Sequence, residues 1–272
     1  MAGLENPFHY PVLSDAVAGY PGLRLLTFYS PALRRRGDVS LFLPLDAGDR
    51  ALPLLLLLHG VYGSHWNWWA FGELPRIATE MMASGEAEPM AIAMPSDGLW
   101  SDGSGYLRHK SFDAEAWIVD DVPACMHALL PQVSVDRLYL GGLSMGGYGA
   151  LRLGAKYAQR VGAISAHSSV TQLADLQPFV GDSLEKDLGG GQRDADLLYW
   201  MRKHHAHLPP LRFDCGTEDF LLASNRALDA AMTKARIPHA YEEHPGAHDW
   251  TYWQTHVRST LRFVSDAMRR AA

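Results

Sequence analysis

Short apolar runs that stop at glycine or proline punctuate the chain. Pro53-Leu54-Leu55-Leu56-Leu57-Leu58-His59-Gly60 is the clearest, and Met90–Met94, Arg137–Gly142, Val161–Ser165 and Leu211–Gly216 repeat the form. Runs of this length without polar alternation suit strands buried on both faces, as in a sheet flanked by helices. Leu23–Ser30 and Asp38–Leu43 read as two earlier strands, and Ala240–Glu243 as a last one. The linker Pro31–Gly37 is turn-like, and its Arg34-Arg35-Arg36 run is expected on a solvated loop. Between the runs the apolar spacing changes to three and four. Ala114–Leu130 sets Trp117, Ile118, Val122, Cys125 and Leu129 at helical steps, and Gly146–Tyr157, Phe220–Arg236 and Trp250–Met268 share that period. Strands alternating with helices imply βαβ crossovers and a mostly parallel sheet, hence the α/β class.

The same pattern sets the domain expectation. Residues 1–22, with Pro7, Pro11, Gly19, Pro21 and Gly22, predict an irregular arm. Ser168–Leu208 leaves roughly 40 residues beyond the sheet, including a helix-like piece at Asp194–Lys203, which suits a small cap rather than a large lid domain. Leu188-Gly189-Gly190-Gly191 reads as a flexible loop inside that stretch. No repeat or linker divides the chain, so one domain over residues 1–272 is expected.

Composition narrows the partners. Lys and Arg number 24 against 30 Asp and Glu, a formal charge of −6, which offers nucleic acid no basic footprint. Forty-seven per cent apolar and 20% charged residues exclude disorder. The longest apolar run, Leu54–Leu58, is far short of the roughly 20 residues that cross a bilayer. Cys125 and Cys215 make no disulfide framework, and the first residues lack a signal-peptide pattern. A cytoplasmic protein acting on a small molecule is expected, with a homo-oligomer left open.

Gly142-Leu143-Ser144-Met145-Gly146 matches G-x-S-x-G between a strand and a helix, the setting of a nucleophile elbow. A serine hydroxyl needs a base, and the base an orienting acid, which in this setting follow in the order Ser, Asp/Glu, His. Asp219 ends the stretch Cys215-Gly216-Thr217-Glu218-Asp219 just past a strand, where ligands gather in open α/β sheets. Asp214 lies within that strand and Glu218 faces solvent in this reading, so both rank lower. Of the later histidines, His239 and His244 bound a strand and His256 falls within a helix. His248, in Gly246-Ala247-His248-Asp249-Trp250, sits on the loop between them and is the expected base, with Asp249 the helix cap. His59-Gly60-Val61-Tyr62-Gly63 follows the third strand, where an oxyanion amide belongs. Val61 and Met145 are the expected N–H donors, with Tyr62 the fallback. Tyr62, Trp66 and Trp100 are candidate substrate contacts, while Trp68 and Trp69 fit pocket or core equally. Trp100, Asp102 and Tyr106 fall in a loop that opens near the site. His204-His205-Ala206-His207 lacks a nearby acid or thiol to complete a tetrahedral metal site, so no metal and no cofactor is expected.

These segments together resemble the esterase D-like (putative esterase) family of α/β hydrolases, over roughly Ser30 to Arg262. The segments that carry it are Ser30-Pro31-Ala32-Leu33, His59-Gly60-Val61-Tyr62-Gly63 with Trp66, and Met94-Pro95-Ser96-Asp97-Gly98. Gly141-Gly142-Leu143-Ser144-Met145-Gly146-Gly147, Cys215–Asp219 and Gly246–Trp250 complete the set. The resemblance implies an α/β-hydrolase fold and the triad Ser144, Asp219 and His248. It implies a serine carboxylesterase, and looks closest to the cytoplasmic tributyrin-esterase type. S-formylglutathione hydrolases of the family usually carry a serine-glycine-leucine oxyanion segment and a histidine-serine-methionine elbow. Here His59-Gly60-Val61 and Leu143-Ser144-Met145 stand instead. A thioesterase of that type, a feruloyl or acetyl carbohydrate esterase, and a catalytically silent binding protein are the alternatives.

Overall fold

The computed structural model describes residues 8–46, 48, 50–99, 101–180 and 183–271. Among these residues nine strands form one sheet: β1 Val12–Leu13, β2 Leu23–Ser30, β3 Arg35–Phe42, β4 Leu52–Leu58 and β5 Ala91–Pro95, then β6 Val133–Leu143, β7 Val161–His167, β8 Leu211–Gly216 and β9 Ala240–His244. Their order is β1-β2-β3-β5-β4-β6-β7-β8-β9. Pairing is antiparallel from β1 to β5 and parallel from β5 to β9. The longer helices are α1 Leu74–Ala83, α2 Val122–Leu129, α3 Met145–Lys156, α4 Leu173–Val180, α5 Leu197–Lys203, α6 Leu222–Lys234 and α7 Trp250–Ala271.

The leucine run explains the layering. Strand β4 lies between β5 and β6, and Leu54 through Leu58 are all fully buried. Alternation sends Leu54, Leu56 and Leu58 to one face, with Met126 and Tyr148, and Leu55 and Leu57 to the other, with Ile77 and Leu261. Helices α2 and α3 therefore cover one side, and α1 and α7 the other. Each such leucine contributes about 1.5–3 kcal/mol of burial.

Several boundaries differ from the pattern. The Pro31–Gly37 linker shrinks to a tight turn closed by Arg34 at φ 57°, and Arg35 and Arg36 begin β3 opposite Ser30 and Tyr29. Hairpin register recruits those arginines, which composition had assigned to a loop. Strand β6 begins at Val133, four residues before the apolar run: Val133 and Ser134 pair with Leu52 and Pro53 of β4, and a register shift carries the pairing over Val135–Arg137 to Leu138 opposite Leu54. The expected irregular arm contributes the edge strand β1. The Ala114–Leu130 helix contains a π turn at Trp117–Asp121, ending two residues before Pro123, which has no N–H to donate.

Residues between β7 and β8 carry α4 and α5, with short helices Ser183–Asp187 and Gly191–Asp194 between them. An ionic cluster ties this segment to α3. Arg152, fully buried on α3, donates through Nε to the Asp194 carbonyl at 2.6 Å and pairs with the Asp194 carboxylate and with Glu115. The glycine stretch expected to be flexible is pinned, since Gly189 N–H donates to the Arg108 carbonyl at 2.8 Å.

Candidate active site

Parallel pairing aligns the strand ends that carry the chemistry. Leu58 of β4 is in register with Gly142 of β6, and Gly216 of β8 with His244 of β9. The turns after β4, β6, β8 and β9 thus open along the same carboxyl edge.

Ser144 occupies the turn between β6 and α3 at φ 54° and ψ −120°. A non-glycine residue there stores strain of about 1–3 kcal/mol. Its surroundings hold it: Ser144 N–H donates to the His167 carbonyl at 3.0 Å, and its carbonyl accepts from Tyr148 and Val170 N–H, each at 3.1 Å. The turn also requires close backbone approach. A Cβ on Gly142 would lie 2.4 Å from the Gly146 carbonyl oxygen, and one on Gly146 the same distance from that of Leu58.

Around this hydroxyl the predicted partners converge. Ser144 Oγ lies 3.1 Å from His248 Nε2, and His248 Nδ1 lies 2.8 Å from Asp219 Oδ2. The other oxygen of Asp219 accepts the Leu221 N–H at 2.8 Å, so one carboxylate orients the imidazole and caps the turn into α6. Burial pushes the Asp219 carboxyl up, but the His248 hydrogen bond and charge and the Leu221 amide outweigh it and hold it below the usual range. Asp249 accepts from Tyr252 N–H at 3.1 Å, the cap expected of it. His248 is packed between rings: Phe220 at 4.4 Å and Trp253 edge-on at 4.9 Å.

The loop after β4 lies against the serine, since a Cβ on Gly60 would stand 3.2 Å from Ser144 Cβ. Tyr62 N–H donates to the Asp102 carbonyl and Gly63 N–H to that of Gly60, both at 3.2 Å. Tyr62 is therefore corrected as a fallback oxyanion donor: its amide is already engaged. Among the described residues the Val61 N–H has no such bond, and Met145 N–H opens α3, where amides lack intrahelical acceptors. Tyr106 fixes the base of the loop. Its phenol accepts from His59 N–H and donates to the His59 carbonyl, each at 3.0 Å. Buried beneath α3, it is no leaving-group contact.

The aromatic candidates separate. The Tyr62 side chain is 66% exposed and its phenol donates to the Phe179 carbonyl at 2.8 Å. Trp66 is 36% exposed and meets Phe71 edge-on at 5.3 Å, at the start of a ring series through Trp250 and Trp253 to His248. Trp68 is buried, donating to the Leu58 carbonyl, and Trp69 donates to Ser40 Oγ. Both belong to the scaffold. Trp100 lies outside the described residues. His204 and His205 bond the Ala155 and Arg236 carbonyls. Among the described residues no group of three His, Cys, Asp or Glu side chains could hold a metal. No helix of the described residues is long and apolar enough to cross a membrane.

Sequence reasoning missed Phe220, the residue directly after the expected acid. It also missed a second buried cluster, in which Asp214 meets His167 at 2.8 Å and His167 Nε2 meets Thr260 Oγ1 at 2.7 Å. Neither residue pattern carries a spacing signal.

Comparison with known proteins gives the family and the fold. A family model described as "Putative esterase" matches residues 30–264. An acetyl esterase of Caldicellulosiruptor saccharolyticus is 25% identical over 268 residues, covering 88% of this chain and 97% of the relative. Among solved structures, an S-formylglutathione hydrolase from Agrobacterium tumefaciens superposes with a TM-score of 0.79 at 18% identity, over 94% of this chain and 99% of that one. The fluorophosphonate-binding serine hydrolase FphF of Staphylococcus aureus gives 0.76 at 23% identity, over 89% and 97%. At these identities the two structures show a shared α/β-hydrolase fold.

Proposed function

Since the chain belongs to the "Putative esterase" family and is a carboxylic ester hydrolase, we propose that it cleaves short-chain acyl esters through an acyl-enzyme on Ser144. His248 Nε2 takes the Ser144 proton as Oγ attacks the ester carbonyl. The oxyanion is held by the N–H groups of Val61 and Met145 at the head of α3, where the helix dipole also favours negative charge. Collapse expels the alcohol, which takes the proton from His248. Water then attacks the acyl-enzyme with His248 again as base; as the acyl–Oγ bond breaks, His248 returns the proton to Ser144 Oγ and the carboxylic acid leaves. Asp219 holds the imidazole tautomer and stabilises its protonated form. The observation that carries this reading is the unbroken series from Asp219 through His248 to Ser144 at 2.8 and 3.1 Å, ending on a serine in a strained turn.

Residues 168–208 act as a small cap within one domain spanning the chain. The acetyl esterase relative supports a short acyl group. Each acyl methylene adds about 0.8 kcal/mol only while apolar wall remains to receive it, and short helices supply little of it. The cytoplasm is the proposed location. Cys125 and Cys215 are both buried free thiols, and burial pushes that of Cys125 up to about 12.

The test is a p-nitrophenyl ester series with fluorophosphonate labelling. We expect labelling at Ser144 and kcat/KM peaking between acetyl and hexanoyl, falling by dodecanoyl. Preference for palmitoyl esters, or activation at an oil–water interface, would refute the short-chain reading.

A further inference from the structure

The path of the proton gives the site two sides. The departing oxygen must reach His248 Nε2, so the alcohol portion lies by that ring, and the acyl chain lies across Ser144 from it, beside the oxyanion amides.

These sides are lined differently. By the histidine, the Phe220 ring is 59% exposed yet only 4.4 Å from the imidazole, and Phe179 continues the face 5.8 Å beyond it. Beside the expected oxyanion amides, three flexible or aliphatic side chains close on Gly103. A Cβ there would stand 2.8 Å from Met145 Sδ and 3.1 Å from Cγ1 of both Val61 and Val180. Two of those side chains belong to the residues whose amides face the oxyanion, and the third ends α4. Phe179 and Val180 are neighbours in the chain, so the end of α4 divides the opening, held there by the Tyr62 phenol. One side is an open aromatic face and the other a filled aliphatic wall.

Resting on the Ser144 esterase reading above, we propose that the site is selective for acetate- or propionate-sized esters of flat aromatic alcohols. An exposed ring beside the leaving oxygen gains an offset or edge-to-face partner when an aromatic alcohol binds, and gains less from a saturated ring of the same size. The wall at Gly103 leaves a long acyl chain nowhere to lie without displacing Val180.

Benzyl and cyclohexylmethyl acetate make the test, because both release primary alcohols of similar size and acidity. We expect kcat/KM to favour benzyl acetate by about three- to tenfold. That ratio should fall toward one in Phe220→Leu, whatever uniform rate loss the variant suffers. Benzyl acetate should exceed benzyl hexanoate by at least about tenfold, and Val180→Ala should narrow that gap. Equal rates for the two acetates, or a ratio unmoved by Phe220→Leu, would overturn the alcohol assignment. Hexanoate matching acetate would overturn the acyl assignment. Hydrolysis of every ester without preference leaves the esterase reading standing and removes this proposal alone. A wild-type protein that hydrolyses none of them and takes up no fluorophosphonate removes both.

Discussion

Strand β8 presents two aspartates to two histidines, and the pairs are nearly superposable as diagrams. Asp219, just past the strand, meets His248 at 2.8 Å, and Asp214, within it, meets His167 at 2.8 Å. Each histidine then reaches a hydroxyl, Ser144 Oγ at 3.1 Å and Thr260 Oγ1 at 2.7 Å. Distance alone would choose the second set. Surroundings reverse that choice. Thr260 lies in the middle of α7, fully buried with His167, Asp214 and Ser165, and its hydroxyl is shared with Ser165 Oγ at 2.7 Å. Asp214 is committed further, accepting from Arg212 and from Tyr252 Oη, each at 2.7 Å. Buried on every side, that hydroxyl is out of reach of a substrate. Ser144 sits on a strained turn at the sheet's open edge, between an N–H that heads a helix and a loop pressed against it. An acid, a base and a hydroxyl make a site only where substrate can enter and charge can develop.

Removing the hydroxyl or base of the open set should produce the largest effect. Ser144→Ala and His248→Ala are each expected to lower kcat by about ten-thousand- to million-fold, and the double variant hardly more, because the residues act as one unit. Thr260→Val should leave kcat within about threefold. Fluorophosphonate labelling sharpens the contrast: intact mass should show one adduct in the wild type and none in Ser144→Ala. An adduct mapped to Thr260 would break the distinction.

The two acids should separate by readout. Asp219→Asn is expected to lower kcat by about a thousand- to ten-thousand-fold with stability little changed, since it spoils the tautomer of the base. Asp214→Asn should do the opposite. It leaves Arg212 with one partner fewer in the interior, and breaking such a buried pair costs about 3–5 kcal/mol. Its kcat, measured well below the melting transition, should fall less than tenfold. Wild-type activity in Asp219→Asn would mean that the other acid serves the base.

A smaller effect appears in acid. Burial would push the Asp214 carboxyl up, but the charges and hydrogen bonds of His167 and Arg212, with the Tyr252 phenol, hold it well below the usual range. A carboxylate depressed in the folded state contributes stability above its unfolded pKa of about 3.9, and that stability is lost as pH falls toward the folded value. The midpoint of urea unfolding should therefore drop below about pH 4.5, on top of a gentler decline that begins near pH 6.5 because burial holds His59, His65 and His256 below the usual imidazole range. Asp214→Asn should flatten this acid limb more than Asp219→Asn, whose carboxyl is also lowered but has the more open surroundings.

Much of the open set could be read from the chain because its parts are local. The leucines of β4, the glycines around Ser144 and the strand-end positions of Asp219 and His248 each leave a mark within a few residues. What escaped depends on chain segments far apart. The Phe220 ring lies on His248, 28 residues away, and no periodicity distinguishes it from a helix-start residue. The Tyr62 amide is taken by the Asp102 carbonyl, from a loop with no repeating pattern. His167, Asp214 and Thr260 come from two strands and a helix. Their polarity at otherwise apolar positions was visible, and its purpose was not. The π turn before Pro123 had a signal, a proline within a helical period, that marks a break without saying what kind.

The finest test removes one oxygen from the closed set. Thr260→Val keeps the shape of the side chain and deletes Oγ1, which bonds both His167 Nε2 and Ser165 Oγ at 2.7 Å. Ser165 retains the Arg212 guanidinium at 3.2 Å, so the imidazole nitrogen loses more than the serine does. A buried polar group deprived of its partner costs about 1–3 kcal/mol, whereas an exposed one would find water at little cost. Urea unfolding of Thr260→Val should register a loss in that range with the slope unchanged, and Thr260→Ser should recover most of it. Activity toward a short ester should follow neither variant by more than about threefold. If Thr260→Val instead lost kcat in step with stability while Thr260→Ser restored both, the buried set would be positioning Ser144 through the His167 carbonyl that accepts its N–H. The two sets would then be one apparatus.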